Sequence, residues 1–233
     1  MCATAAGPAR VFSWTGALLF AVSLTYFVFA YLWGFGASAD GGRAAPAVTW
    51  NVALFTLFAL HHSIFAREPV RGWVRRVVAP DLERSVYVWL ASLLFLAVCL
   101  GWRPVPGTAW SLDGAPVWLV RAVGIAALWL MLRSVAVLDV WTLAGLRLQA
   151  QGPSDFKTTG PYGWVRHPIY AGWCLFVFAA TPMTMTRLLF AVVSCAYLLV
   201  AIPLEERTMR AASPGAYGRY MAQVPWRLVP GVY

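Results

Sequence analysis

Residues 160–172 read GPYGWVRHPIYAG, and residues 205–207 read EER. Together they set a guanidinium (Arg166), an imidazole (His167), two phenols (Tyr162, Tyr170) and two adjacent carboxylates (Glu205, Glu206) beside strongly apolar sequence. Groups of these types can hold a polar cosubstrate. A carboxylate accepts from an ammonium or from ribose hydroxyls, and a glycine such as Gly172 lets a ligand approach the backbone closely. The same residues have a plainer reading. Arginine and tyrosine at the edge of a membrane segment often serve as interfacial anchors, and the two acids can neutralise Arg207, Arg210 or Arg166.

Local backbone rules shape the first stretch. Gly160-Pro161 and Gly163 punctuate a turn that displays Tyr162 from loop backbone. His167 precedes a proline and is pushed out of the α region. Pro168 suits the first position of a helix, where its missing N–H costs nothing. Ile169, Tyr170 and Gly172 then fall in the first turns. A loop feeding a helix N-terminus is a place where anionic groups are stabilised. Downstream, AYGRY puts Tyr217 and Tyr220 three apart, on one face of a helix. The closing VPWRLVP reads as a lid or an anchor.

These groups must be positioned by an unusually apolar chain. Hydrophobic residues make up 61% of the 233, and charged residues 12%, about half the share usual in a soluble domain. The apolar residues are clustered. Segments 11–35, 47–66, 85–102 and 116–138 are long enough to cross a hydrocarbon core of about 30 Å. Segments 169–181 and 187–204 read as a hairpin broken near Pro182, with a short first arm. The expected fold is an all-α polytopic membrane bundle of five or six spans. Its N-terminal transmembrane helices occupy 1–138, and a catalytic, cosubstrate-binding region with the hairpin occupies 139–233. The first apolar run is longer than the ~7–15 residues of a signal-peptide core, so it reads as a retained span despite the cleavage-like ASA at 37–39.

The net charge of +9 arises from seventeen arginines and one lysine against nine acids. These cations sort by loop. Five arginines lie in 67–84, four lie in the tail, and Arg147, Lys157 and Arg166 lie in 139–167. The alternate loops carry only Arg43, Arg103 and Arg187. The bias predicts an integral protein of a bacterial inner membrane with both termini cytoplasmic, surrounded by lipid and not bound to nucleic acid. Cys2, Cys99, Cys174 and Cys195 show no metal-type spacing, so no metal site is expected. Neither G-x-G-x-x-G nor a P-loop occurs, which argues against a Rossmann-type cofactor domain.

GPYGWVRHPIYAG, followed by EER and then YGRY and VP, resembles the isoprenylcysteine carboxyl methyltransferase superfamily. LFALHHSIFAR, ERSVYVWLASLLFL, WRP and ATPMTMTRLLFA look like its methanethiol S-methyltransferase branch. The resemblance implies an S-adenosylmethionine-dependent methyltransferase with a cytoplasm-facing pocket. By motif, Tyr162, His167, Pro168, Ile169, Tyr170 and Glu205 would contact the cosubstrate. Residues 154–157 and Arg147 fall where the family adds contacts. Arg166 and Glu206 are the candidate catalytic pair: Arg166 would favour a thiolate, which is the reactive form of a thiol, or would instead pair with Glu206 or with the cosubstrate carboxylate. Methyl transfer is an in-line displacement in which alignment supplies much of the rate. Aromatic faces, including Trp164 and Trp173, can support a sulfonium by cation–π attraction.

The expected acceptor is a small or apolar thiol such as methanethiol, or another lipophilic substrate. Ala201 stands where the prenylcysteine enzymes carry a substrate-holding arginine, which counts against the carboxyl-methylating alternative. RHP-x-Y-x-G and the tail also resemble NADPH-dependent membrane sterol-type reductases. The pair His61-His62 raises a haem-binding membrane isomerase, although a buried hydrogen-bonding or substrate-pocket role needs no metal.

Overall fold

The computed structural model describes residues 7–37, 41–65, 67–79, 82–147 and 156–233. The described residues include five helices long and apolar enough to span a membrane. They are α1 (Gly7–Phe29, continued by a π-turn over Ala30–Gly34), α2 (Ala44–Ile64), α4 (Glu83–Gly101), α5 (Ala115–Val137) and α8 (Met185–Ala212). Shorter elements are α3 (Glu68–Val77), β1 (Thr108–Trp110), α6 (Val140–Leu143), α7 (Pro168–Phe178), β2 (Met183–Thr184) and α9 (Pro214–Gln223). The polytopic helical bundle read from the hydropathy is therefore the observed fold.

The chain divides into two compact units. The first contains α1 to α4 and the segment around α6. Lipid offers no hydrophobic drive for helices to associate, so small residues and buried polar contacts do much of the joining. At Gly16 an added Cβ would stand 2.7 Å from the Trp89 indole. That indole also donates from Nε1 to the Phe12 carbonyl at 2.9 Å, tying α1 to α4. Asn51, fully buried on α2, receives the Arg103 N–H on Oδ1 and donates from Nδ2 to the Arg103 carbonyl, both at 2.8 Å. Satisfying every polar atom of a buried amide in this way removes the desolvation cost it would otherwise carry. On α3, Arg71 and Arg75 both hold Glu83 at the start of α4.

The second unit contains β1, α5, α7, β2, α8 and α9. Thus α5 clusters with the elements that follow it, and the segment 140–147 with those that precede it. Gly172 makes that packing possible. A Cβ there would stand 2.6 Å from Met131 Cγ and 3.0 Å from the Ala127 carbonyl. With eleven residues, α7 is about 16 Å long, too short to cross a bilayer as a helix. Non-helical pieces complete its run beside α5. Gly160 lies against Val137, Gly124 against Ala179, and Thr181 Oγ1 receives the Leu112 N–H at 2.9 Å. The antiparallel pair Thr108↔Thr184 and Trp110↔Met183 ends the path. The short arm of the expected hairpin thus runs beside α5, and the helices long and apolar enough to span a membrane number five among the described residues. Thr184 then caps α8, its hydroxyl accepting from Arg187 N at 3.2 Å, a standard N-cap arrangement.

Candidate active site

All eight candidate residues lie in the second unit. Tyr162 sits in a single 3-10 turn, Gly160–Gly163. Gly160 has φ +60°, a left-handed conformation that costs glycine little. His167 has φ −125° and ψ 62°, outside the α region as its following proline requires. Pro168 opens α7 and is buried, with Ile169 and Tyr170 half-buried beside it. Glu205 and Glu206 lie on α8 just after Pro203, which sits inside that helix and supplies no N–H to the Leu199 carbonyl.

The two glutamates have opposite surroundings. Glu206 is 1% exposed. Its Oε1 accepts from Arg166 Nε at 2.8 Å and faces His167 Nε2 at 3.3 Å. Its Oε2 accepts from Arg227 Nε at 3.1 Å and lies 3.0 Å from Arg227 Nη2, with Arg210 Nη2 at 3.9 Å. A carboxylate this deep needs both charge compensation and filled acceptor sites, and it has both. Arg166, also buried, donates from Nη1 to the carbonyls of Val224 and Pro225 at 2.8 and 2.5 Å. The Arg166–Glu206 pair is therefore a brace joining α7, α8 and the tail. The Arg166 Nε is engaged by Glu206 and its Nη1 by the tail carbonyls.

Glu205 is only half-buried. Tyr170 donates its hydroxyl to Oε1 at 2.6 Å, and His167 Nδ1 lies 3.9 Å from Oε2. The His167 and Tyr170 rings stack with centroids 5.5 Å apart and planes 5° from parallel. A carboxylate, an imidazole and a phenol thus form one polar face above the brace.

The tail closes the site from a distance in sequence. Arg166 N and His167 N donate to the Trp226 and Arg227 carbonyls, each at 2.9 Å. The pairing with Glu206 holds the Arg227 guanidinium above its ordinary range. Arg227 is the site residue that sequence reasoning missed. The VPWRLVP segment reads as a lid or an anchor, and nothing in the spacing of Arg227 links it to Glu206. Tyr217 and Tyr220 do share a buried face of α9, packed with Phe156, Met209 and Met221. The Tyr220 hydroxyl donates to the Tyr162 carbonyl at 3.0 Å. Burial, reinforced by each other's proximity, pushes the Tyr162 phenol up to about 12. The Tyr217 hydroxyl is buried with no hydrogen-bond partner among the described residues.

Other expectations fall elsewhere. Trp164 is exposed, and the Trp173 N–H is bonded to Ser194 Oγ at 3.0 Å. Arg147 lies in the first unit, and residues 154 and 155 lie outside the described residues. No group of three or more His, Cys, Asp or Glu that could hold a metal occurs among the described residues.

Fold and site define a helical membrane protein whose polar centre joins the start of one helix to adjacent carboxylates on the next. Residues 120–211, from α5 to the end of α8, match the isoprenylcysteine carboxyl methyltransferase (ICMT) family. The chain is 37% identical over 193 residues to a methanethiol S-methyltransferase of Crocosphaera subtropica, covering 79% of this chain and 75% of that protein. It is 35% identical over 195 residues to methanethiol S-methyltransferase 2 of Bradyrhizobium diazoefficiens, covering 80% and 74%. Over 209 residues it is 35% identical to the methanethiol S-methyltransferase of Mycobacterium tuberculosis, covering 80% and 83%. No solved structure matches the chain. The chain belongs to the isoprenylcysteine carboxyl methyltransferase family and is an integral membrane methyltransferase.

Proposed function

We propose that the protein transfers the methyl group of S-adenosylmethionine to a small thiol such as methanethiol. The observation that carries the site assignment is the contrast between the paired glutamates. Glu206 is saturated by Arg166, Arg227 and His167, while Glu205 is half-buried and aimed by Tyr170. The donor set fits the cosubstrate. Glu205 accepts from an ammonium or from ribose hydroxyls, the stacked His167 and Tyr170 rings offer aromatic faces to a cation, and the orphaned Tyr217 hydroxyl is a donor in want of an acceptor. When bound, S-adenosylmethionine supplies an electrophilic methyl on a sulfonium.

The chain's own contribution is binding and alignment. Tyr162, Pro168 and Ile169 line the entry to α7, and Glu205, His167 and Tyr170 hold the ligand. Arg166 and Glu206 keep α7, α8 and the tail in register. Held there, S-adenosylmethionine would give its methyl to the thiol sulfur, which would lose its S–H proton to water. Two supports favour a thiol over a prenylcysteine carboxylate: the printed names of the relatives, and Ala201 at the position where the prenylcysteine enzymes carry an arginine. The arginine-rich 67–84 segment supports an inner-membrane orientation with both termini cytoplasmic.

The test is incubation of the purified protein with labelled S-adenosylmethionine and a panel of thiols, prenylcysteines and phenols, read by mass spectrometry. Label in the small thioether is expected. Label in a prenylcysteine ester or a phenol ether, with none in the thioether, would replace the acceptor assignment.

A further inference from the structure

The first unit carries a surface that the site above does not use. Helix α3 follows the end of α2 at Ile64 and precedes the start of α4 at Glu83, joined to them by residues 65–67 and 78–82. Connections that short hold it at the level where two spanning helices leave the hydrocarbon core. Its ten residues make about 15 Å of helix, too short to cross a bilayer but long enough to lie in the boundary plane.

Residues four apart share a helix face, and α3 sorts its side chains accordingly. Inward, Val74 is buried, Arg71 and Arg75 both bind Glu83, and Arg75 also reaches Glu68 at 2.7 Å. Outward, Pro69, Trp73 and Val77 form an apolar stripe, with Trp73 58% and Val77 68% exposed. Arg76 is exposed on the same side, three positions after Trp73. Unlike Arg71 and Arg75, it has no carboxylate partner among the described residues.

One environment takes both kinds of group. A tryptophan at the membrane boundary sets its ring at the level of the headgroups and upper acyl chains, and an arginine beside it extends its guanidinium to the phosphates. Bulk water gains nothing from Trp73 and Val77, and hydrocarbon alone would not take Arg76. The sign of the charge then selects the lipid. Residues 67–84 carry five arginines against Glu68, Asp81 and Glu83, and a basic segment at the boundary attracts anionic headgroups.

We propose that α3 is an interfacial helix that seats an anionic phospholipid, with the stripe of Pro69, Trp73 and Val77 among the acyl chains and Arg76 on the headgroup phosphate. Phosphatidylcholine also offers a phosphate, but its choline cancels the charge, so Arg76 separates the two lipids. Arg71 and Arg75, engaged by Glu83, hold the helix to α4 and thereby fix the outward aim of the stripe. The inference is independent of the methyl-transfer reading.

The test places the full chain in phosphatidylcholine nanodiscs carrying a trace of photoreactive phosphatidylglycerol or photoreactive phosphatidylcholine. Both probes bear the reactive group high in the same acyl chain, and the label is mapped by mass spectrometry. Both are expected to label 69–77, phosphatidylglycerol about fivefold more, the factor that one arginine near an anionic surface supplies. Arg76→Gln should lose that excess and keep the phosphatidylcholine label. In the wild type, salt at about 1 M should also reduce the excess, because screening then acts within about 3 Å. Glycerophosphoglycerol, the headgroup without its chains, should not compete. No label on 69–77 from either lipid would overturn the inference and leave the face to a second copy of the chain or to another protein. Equal labelling by the two lipids, or an excess that survives Arg76→Gln, would remove the anionic lipid from Arg76. Competition by glycerophosphoglycerol or by inorganic phosphate would replace the lipid with a free anion. If Arg76→Gln does not fold, the wild-type comparison of the two lipids across the salt series decides alone.

Discussion

Arg166 and Glu206, forty positions apart, meet at 2.8 Å with the carboxylate 1% exposed. A pair at that depth is more informative about what it holds than about how strongly it attracts, because desolvation offsets most of the Coulomb gain. The same carboxylate also takes Arg227, and the same guanidinium also takes the Val224 and Pro225 carbonyls. The two residues therefore fix the start of α7, the end of α8 and the tail as one assembly, on which Glu205 and His167 are displayed.

Arg166→Ala is expected to cost about 3–5 kcal/mol of stability, since it leaves a buried carboxylate short of a partner. Glu206→Gln should cost at least as much. It takes the anion from the buried Arg166 and from Arg227 and turns an amide NH2 towards guanidinium donors, whereas Glu206 in Arg166→Ala keeps Arg227 and His167. Denaturant unfolding in detergent ranks the two. A thermally normal Arg166→Ala protein that binds cosubstrate but fails to turn over would instead place Arg166 in the chemistry.

Glu205→Gln and His167→Ala are expected to leave the fold intact and to weaken S-adenosylmethionine binding. Glu205 is half-exposed, so its loss removes a charge-assisted contact of about 1.5–3 kcal/mol, roughly tenfold to a hundredfold in affinity. Calorimetric titration measures this. Wild-type affinity in both variants would remove the cosubstrate from this face of the site.

Much of this was legible from local rules. Apolar runs located most of the spanning helices to within a few residues, as 47–66 against Ala44–Ile64 shows, although α8 continues eight residues past the run ending at 204. The His167-Pro168 step predicted the non-helical conformation that precedes α7, and the spacing of Tyr217 and Tyr220 predicted their shared face. Long-range pairings were not legible. Arg227 reaches Glu206 through the path of the tail, which no periodicity encodes. The pairing of β1 with β2 involves only two registered positions, too few for alternation to show. The allegiance of α5 to α7 depends on Gly172, and a glycine in an apolar run carries no signal of which helix it will admit.

Gly172→Ala tests that contact. The new methyl would meet Met131 Cγ at 2.6 Å, which a flexible side chain can relieve, but also the Ala127 carbonyl at 3.0 Å, which is backbone. The α5–α7 separation must grow, at a cost of about 1–3 kcal/mol for overpacking. Because α7 carries Tyr170 and follows His167, cosubstrate affinity should fall along with the melting temperature. A Gly172→Ala protein as stable as wild type would mean that the helices part without penalty.

The phenols beneath the site predict an alkaline limit. Burial pushes Tyr220 up to about 12, as it does Tyr162, against an ordinary value near 10. A folded-state value above the unfolded one means that the unfolded chain loses its phenolic protons first. The stabilisation is complete below about pH 10, where both states are protonated, and is lost as pH rises towards about 12. Unfolding midpoints should therefore fall across that window. In Tyr220→Phe the fall should be shallower, although the variant starts about 1 kcal/mol less stable at neutral pH for want of the bond to the Tyr162 carbonyl. Tyr217→Phe provides the contrast. Its hydroxyl has no partner to lose among the described residues, so neutral-pH stability should hold or rise while cosubstrate affinity falls. Equal neutral-pH losses in the two variants would show that the Tyr217 hydroxyl is bonded within the fold and is not held for a ligand.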